Sequence, residues 1–316
     1  MSVLLTGVDT ILGYHVARAL VASGFTVNVL LPGELAPRSS AAGWRVHPGR
    51  TTDPEACLEA LDGASAVFHF ESGHLASAGP MATRSFLEGT RNLLLAMSRS
   101  GVEDLVFGSS ALVFRPGTPA EPGDESSPSE DSLPALPCLE ALRAAGELVR
   151  RYCDSGGTRA VTVNPTLVMG SRDLPGGAGW YLLERVFSSP GPVASGSLNV
   201  VRAADAAMAA VRALGRGRPG RSYILGGDNV TLAELAGLAE KARAGRAVPR
   251  EEPRRGRLRN TLRRLVPGVR APGPPLLRLA GADLCYSAAS ARAHLSLESA
   301  PLESTVAEAV DWYLSR

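Results

Sequence analysis

Four side chains that can move protons lie near the ends of two apolar runs. His69 lies within the run Ala66–Phe70, Glu71 and His74 follow that run, and Ser110 follows the next one. Because α/β folds place their sites at the carboxyl ends of parallel strands, we expect these side chains to gather there. Glu71 with His69 or His74 could form an acid–base pair for proton transfer, elimination or cyclisation. The alternative is that these side chains are simply solvated.

A second candidate site is the loop between the first apolar run and the helical pattern that follows it. Gly7 and Gly13 fit the pattern T-G-x-x-G-x-x-G, which binds pyrophosphate through amides at a helix N-terminus. The middle glycine is replaced by Thr10, whose Cβ and γ-substituents would project to where the backbone normally meets a cofactor. Gly13 can also serve helix–strand packing without any ligand. The candidate cofactor-binding residues of this loop are Gly7, Thr10, Leu12 and Gly13.

Both candidate sites lie in the first 165 residues, where short apolar runs alternate with helical patterns. That alternation predicts a doubly wound parallel sheet of the Rossmann type, an α/β fold. We expect residues 1–165 to form this domain. Residues 166–316 would supply a smaller C-terminal α/β substrate domain, with some segments returning to the sheet. The predicted strands of the first domain are Ser2–Thr6, Phe25–Leu31, Arg45–His47, Ala66–Phe70, Leu105–Ser109 and Ala160–Val163.

The composition is that of a globular protein without a metal or disulfide framework. The chain has 316 residues, 45% of them hydrophobic, and a net charge of +2. Its four cysteines show no C-x-x-C spacing, which favours reduced thiols in a cytoplasmic protein, and no spacing indicates a metal site. The first apolar stretch is short and has no basic region before it, so we expect no signal peptide. No uncharged run approaches the ~18 residues that span a bilayer.

The segment 241–270 is strongly basic, and we call it the basic flap. It holds Lys241 and ten arginines against Glu251 and Glu252, and it has no aromatic residue. Leucines and a valine recur in it at helical spacing, which predicts a short basic amphipathic helix. One interpretation is a solvated flap, and another is a flap that transiently meets a membrane or an acidic partner. Nucleic acid is disfavoured because aromatic residues are absent.

Several sequence blocks resemble the extended short-chain dehydrogenases/reductases, the NAD-dependent epimerase/dehydratase group. Within that group the chain looks most like the hopanoid-associated sugar epimerase branch. The resemblance implies a Rossmann fold, a nicotinamide cofactor, catalysis by a Ser, a Tyr and a Lys, and pairing through helices near Pro80–Ser100 and Cys138–Cys153. The matching blocks are TGVDTILGYHVARALVASG, FLEGTRNLLLAMSRSGVEDLVFGSSALVF, NPTLVMGSRD, SLNVVRAADAA, RSYILGGDNVTLAEL and AVDWYL.

The catalytic positions that the resemblance implies are only partly kept. Ser110 stands at the family serine, but Cys138 stands at the tyrosine and Leu142 at the lysine. Misalignment does not explain this, because the only lysine, Lys241, has Gly237 four residues before it. Cys138 could act as a nucleophile or an acid, with its pKa lowered by the start of a helix. The alternative is a small apolar filler.

The nucleotide contacts that the resemblance implies are also reduced. Leu30–Gly33 offers no acid for the ribose hydroxyls, and Arg50 replaces the family's adenine-contacting aspartate, although Asp53 is kept as a candidate contact. Glu71 places a carboxylate where the family lines the cofactor with small residues, and Phe86 replaces an asparagine. Together these changes predict that NAD(P) binds weakly or not at all.

Three interpretations stay open. The first is a repurposed member that binds a small ligand or acts on it without redox chemistry; the hopanoid-branch resemblance points to a terpenoid or polyketide. The second is an NAD(P)-dependent reductase or epimerase with substitute acid–base residues, supported by Gly7, Gly13, Asp53 and Ser110. The third is a non-catalytic scaffold or sensor.

Overall fold

The computed structural model describes residues 1–35, 43–76, 80–127, 133–134, 136–188, 195–244, 246, 279 and 281–316. Eleven strands lie in these ranges. In chain order they are β1 (Ser2–Thr6), β2 (Thr26–Leu31), β3 (Arg45–Pro48), β4 (Ala66–His69), β5 (Asp104–Gly108), β6 (Arg159–Pro165), β7 (Leu167–Met169), β8 (Ser197–Arg202), β9 (Ser222–Leu225), β10 (Asp228–Thr231) and β11 (Asp283–Leu284).

Nine α-helices accompany these strands in the described ranges. Two of them begin at caps that their sequences encode: Thr10 caps the first helix, and Asp53 followed by Pro54 starts the second. In chain order the helices are α1 (Ile11–Ala22), α2 (Pro54–Ala60), α3 (Pro80–Ser100), α4 (Pro137–Asp154), α5 (Ala178–Ser188), α6 (Ala203–Arg216), α7 (Leu232–Ala244), α8 (Ala289–Leu295) and α9 (Leu302–Leu314).

Seven strands form one parallel sheet in the order β3-β2-β1-β4-β5-β6-β9. The strand order reverses between β1 and β4, so the chain leaves these two neighbouring strands in opposite directions. Gly7 follows β1 and Phe70 follows β4 at this switch point. The predicted α/β class with a Rossmann-type parallel sheet is confirmed.

The two faces of this sheet are buried against different helix layers. Leu5 and Phe68 lie in an apolar core with α1 and α6. Leu4 and Val67, their neighbours in sequence, lie in a second core with α2, α3 and α4. Successive side chains of a strand point to opposite faces of the sheet. A strand that is buried on both faces must therefore be apolar along its whole length.

A smaller sheet carries β10, β8 and β11 in that order, and β7 pairs with the same β8. Helices α5, α7 and α9 bury its apolar side around Met169, Val200 and Val306. The sequence predicted β8 but not β7, β10 or β11. β7 and β11 have only three and two residues, which are too few to show a period, and the mostly polar β10 has no apolar run.

Ser222–Leu225 (β9) pairs with β6, so this later segment does return to the large sheet as the sequence predicts. The division into domains at residue 165 stays a prediction.

Most of the basic flap, residue 245 and residues 247–270, lies outside the described residues. No helix in the described part of the chain is long and apolar enough to cross a membrane.

Candidate functional site

The loop after β1 closes on itself through Thr10. Its hydroxyl donates to the carbonyl oxygen of Gly7 at 2.7 Å and accepts from the amide of Gly13 at 3.0 Å. Gly7 has φ of +78°, which favours glycine, and Thr10 is buried. The amide of Gly13 is one of the free donors that a helix N-terminus offers to an anion. In this structure the Gly13 amide already donates to the Thr10 hydroxyl of the same loop.

The 3-10 turn Glu71–Ala76, which follows β4, packs directly against that loop. A Cβ atom on Gly7 would lie 2.5 Å from the carbonyl of Phe70, and a Cβ atom on Gly73 would lie 2.8 Å from Cβ of Thr10. The Thr10 side chain therefore fills the space between the two segments. Glycine at position 73 is what allows this close approach.

Glu71 is half-buried, and its carboxylate accepts a hydrogen bond from the Thr51 hydroxyl at 2.8 Å. Thr51 is a residue that the sequence analysis missed. It is buried, its carbonyl accepts from Asn92 at 3.2 Å, and a Cβ on Gly89 would lie 2.2 Å from its hydroxyl. The signal available in the sequence was only its place just after β3. Glu71 thus adds a negative charge beside the switch point.

We call the region at the switch point between the loop Gly7–Gly13 and the turn Glu71–Ala76 the groove. The residues that the family resemblance places at its adenosine end have other partners. Arg50 forms an exposed ion pair with Glu34. Asp53, a candidate cofactor contact, accepts from the amides of Glu55 at 3.0 Å and Ala56 at 3.4 Å as the N-cap of α2. A helix cap is a sufficient structural reason for an aspartate at this position.

His69 is a core residue. It is 1% exposed, and its ring stacks on Phe86 with the centroids 5.8 Å apart. Its Nδ1 lies 2.6 Å from the Thr6 hydroxyl and its Nε2 lies 2.9 Å from the Thr90 hydroxyl. Thr90 donates its own hydroxyl proton to the carbonyl of Phe86, so its oxygen must accept from Nε2–H of His69. Nδ1 then accepts from Thr6, and the ring is neutral.

Burial lowers the pKa of His69 to about 3. Both ring nitrogens are engaged by threonine hydroxyls, so the structure does not bring His69 together with Glu71 as an acid–base pair. His74 lies in the turn Glu71–Ala76, but its side chain is outside what the structure describes.

Ser110 and Cys138 both have structural partners. The Ser110 hydroxyl accepts from the amide of Leu112 at 3.3 Å and caps the 3-10 turn Ala111–Val113. Cys138 and Leu142 are each 5% exposed, and both belong to the apolar core that also contains Phe86. Burial raises the pKa of Cys138, so the predicted lowering by the helix start is wrong: loss of water outweighs the amides there.

Asp173 is a buried acid that the sequence analysis did not single out. Its carboxylate accepts from the amide of Trp180 at 2.5 Å, at the start of α5, and its carbonyl accepts from the indole of Trp312 at 2.6 Å. Burial raises the pKa of Asp173 to about 6. Asp173 joins α5 to α9, which is a structural role.

The described residues contain no group of three or more side chains suited to a metal ion.

Comparison with known proteins identifies the architecture around this site. The model of the NAD dependent epimerase/dehydratase family matches residues 3–226. No curated protein sequence matches the chain.

Solved structures resemble the chain over nearly its whole length. That of gox2253 is 26% identical with a TM-score of 0.80, covering 99% of this chain and 98% of its own. A nucleoside-diphosphate-sugar epimerase from Pseudomonas aeruginosa is 24% identical with a TM-score of 0.76, covering 100% and 98%. UDP-glucose 4-epimerase from Thermus thermophilus, solved with NAD, is 23% identical with a TM-score of 0.75, covering 99% of both chains. Since the family model spans most of the chain, including β1, β4 and the loops that follow them, the protein belongs to the NAD dependent epimerase/dehydratase family.

Proposed function

We propose that this protein is a family member that has lost hydride transfer and binds a small ligand, or acts on it, without redox chemistry. The observation that carries the proposal is the packing of Cys138 and Leu142 with Phe86 in one apolar core. Hydride transfer in the family, as the resemblance implies it, needs a proton donor at position 138 and a cation at position 142. Leu142 carries no charge, burial raises the pKa of the Cys138 thiol, and both side chains are turned into the core.

The proposal includes weak or absent binding of NAD(P). Three features of the groove support it. Thr10 occupies the amide of Gly13, the carboxylate of Glu71 would repel phosphate, and Arg50 is paired with Glu34. The residues present therefore do not fit a productively bound dinucleotide, and no step of the proposed function uses one.

The alternative is an NAD(P)-dependent reductase or epimerase with substitute acid–base residues. It draws support from the solved neighbours, among them a UDP-glucose 4-epimerase with NAD. Its sequence support is weakened by the structure, because Asp53 and Ser110 both cap turns or helices. His69 is enclosed between two threonines, so Glu71 is the member of the predicted Glu71–His69 pair that remains for proton transfer.

Glu71 is the residue that would carry non-redox proton transfer. It is half-buried and held by Thr51, so one carboxylate is fixed at the carboxyl ends of the central strands. The resemblance to the hopanoid-associated branch favours a terpenoid or polyketide as the ligand. A ligand-binding scaffold or sensor would bind its ligand without proton transfer by Glu71, so an activity assay on Glu71→Gln separates the two.

Thermal or chemical unfolding in the presence of NAD⁺, NADH, NADP⁺ and NADPH tests the proposal. A ligand present at 100 times its Kd adds about 2.7 kcal/mol to the free energy of unfolding, and one at its Kd adds about 0.4 kcal/mol. We expect each dinucleotide, at millimolar concentration, to add no more than the smaller value. A rise near the larger value with any of the four contradicts the proposal and favours the reductase or epimerase.

Replacing Thr10 by glycine is expected to strengthen dinucleotide binding about tenfold. The change frees the amide of Gly13 for a phosphate oxygen, and a charge-assisted hydrogen bond is worth about 1.5 kcal/mol. Calorimetric titration with NAD⁺ measures the effect. Thr10→Ser is the matched control, because it keeps the hydroxyl and should keep the weak affinity. Unchanged affinity in Thr10→Gly would show that Thr10 does not limit binding.

A further inference from the structure

A cavity of about 290 Å³ lies at the outer edge of the large sheet, where β9 begins. Its lining comes from three segments: the loop after β5, the start of β9 with the residues before it, and α8. Because β9 is parallel to β6, its first residue lies at the opposite end of the sheet from Gly7 and Ser110. The lining residues are Asp124, Glu125, Ser126, Arg218, Arg221, Ser222, Tyr223, Ser290 and His294.

The two acids of this cavity are held in place by their own loop and by the sheet edge. Glu125 accepts from the amide of Ile224 at 2.7 Å and so closes the open hydrogen-bonding edge of β9. Asp124 accepts from the amide and the hydroxyl of Ser126 at 2.9 Å and 2.5 Å. These bonds lower the pKa of Asp124, which keeps it ionised at neutral pH. Each carboxylate retains lone pairs that can accept from a ligand.

The two arginines of the cavity are not paired with these acids. Among the described residues, no ion pair or hydrogen bond engages the guanidinium group of Arg218 or Arg221, although Asp124 and Glu125 line the same space. The backbone amide of Arg218 donates to the Tyr223 hydroxyl at 3.1 Å, which ties the loop to the buried start of β9. Within the described residues, the cavity therefore offers unpaired guanidinium donors beside fixed carboxylate acceptors.

We infer that this cavity is a binding site for a small phosphorylated sugar or polyol. Guanidinium groups bind phosphate through forked hydrogen bonds, so Arg218 and Arg221 would hold the phosphate group. Carboxylates that accept from hydroxyls would hold the sugar, and these are Asp124 and Glu125. The volume is at the small end of ligand pockets, which suits a monosaccharide phosphate rather than a nucleotide sugar. The site is separate from the groove at Gly7 and stands independently of the proposed function.

Calorimetric titration of the full chain with glucose 1-phosphate, inorganic phosphate and glucose tests the inference. We expect glucose 1-phosphate to bind at least tenfold more tightly than either part, and added salt to weaken it. Arg218→Gln and Arg221→Gln should each weaken it about tenfold. Arg99→Gln is the control, since Arg99 is an exposed arginine on α3, outside the cavity lining, and should leave the affinity unchanged.

Three results would overturn the inference. The first is the absence of glucose 1-phosphate binding, and the second is binding that survives in the Arg218→Gln/Arg221→Gln double variant. The third is equal affinity for inorganic phosphate and glucose 1-phosphate, which would show that Asp124 and Glu125 contact no sugar hydroxyl. The dinucleotide titrations described above are unaffected by any of these results, because they report on the opposite end of the sheet.

Discussion

Replacing Gly13 by alanine is expected to destabilise the ligand-free protein by about 3 kcal/mol or more. A Cβ atom there would lie 2.0 Å from the carbonyl oxygen of Gly7 and 2.9 Å from the hydroxyl of Thr10. Gly7 cannot move away easily, because its left-handed backbone packs against Phe70. Overpacking against a fixed backbone costs 1–3 kcal/mol or somewhat more. Denaturant unfolding without any nucleotide measures the loss.

Gly146→Ala is the matched control for that experiment. Gly146 lies inside α4, and a Cβ atom on it would meet nothing within 4 Å. Alanine there should stabilise the protein by about 0.5–1 kcal/mol, because glycine is the poorer helix former. If Gly13→Ala had no effect on the ligand-free protein, Gly13 would not be required by packing, and a role in ligand binding would become the better explanation for it.

The second large effect is a loss of folding stability at low pH that comes from the buried His69. His69 has a folded-state pKa of about 3 against an unfolded value near 6.5. Between these values the unfolded chain binds a proton that the folded protein does not, so stability falls as pH falls through this window. The slope from this one group is about 1.4 kcal/mol per pH unit. Between pH 7 and pH 5 the loss should be about 2 kcal/mol.

His69→Gln isolates this contribution, because glutamine can offer a donor and an acceptor to Thr90 and Thr6 but does not titrate. Denaturant unfolding from pH 7 to pH 5 should show a smaller loss in the variant, by about 2 kcal/mol. His294→Gln serves as the control, since His294 is exposed and its replacement should leave the wild-type slope in place. Equal slopes in the wild type and His69→Gln would mean that His69 is not buried as a neutral ring.

The sequence predicted the large sheet well, for a physical reason. Parallel strands buried on both faces must be continuously apolar, and the runs at β1, β4 and β5 show this directly. Their observed ends differ from the predicted ones by one residue or none. Short strands such as Asp283–Leu284 gave no signal, because two residues cannot show a period and their pairing with β8 is set by tertiary contacts.

The site was predicted less completely, because burial decides what a polar residue does. His69 and Glu71 are two residues apart, yet His69 is enclosed between two threonines, whereas Glu71 is half-buried and accepts a hydrogen bond from Thr51. The sequence gives no sign of Thr6 and Thr90 as partners, since they are distant along the chain. Cys138 shows the same limit: its place near a helix start predicts a lowered pKa, and the core around it raises the pKa instead.

We propose that the groove keeps the family's shape without its hydride chemistry. A crystal structure of the protein grown with saturating NAD⁺ tests this. We expect no ordered dinucleotide between Gly7 and Gly13, with the hydroxyl of Thr10 still bound to the Gly13 amide. A fully occupied NAD⁺ extended along that loop, with its nicotinamide beside Ser110, would contradict the account.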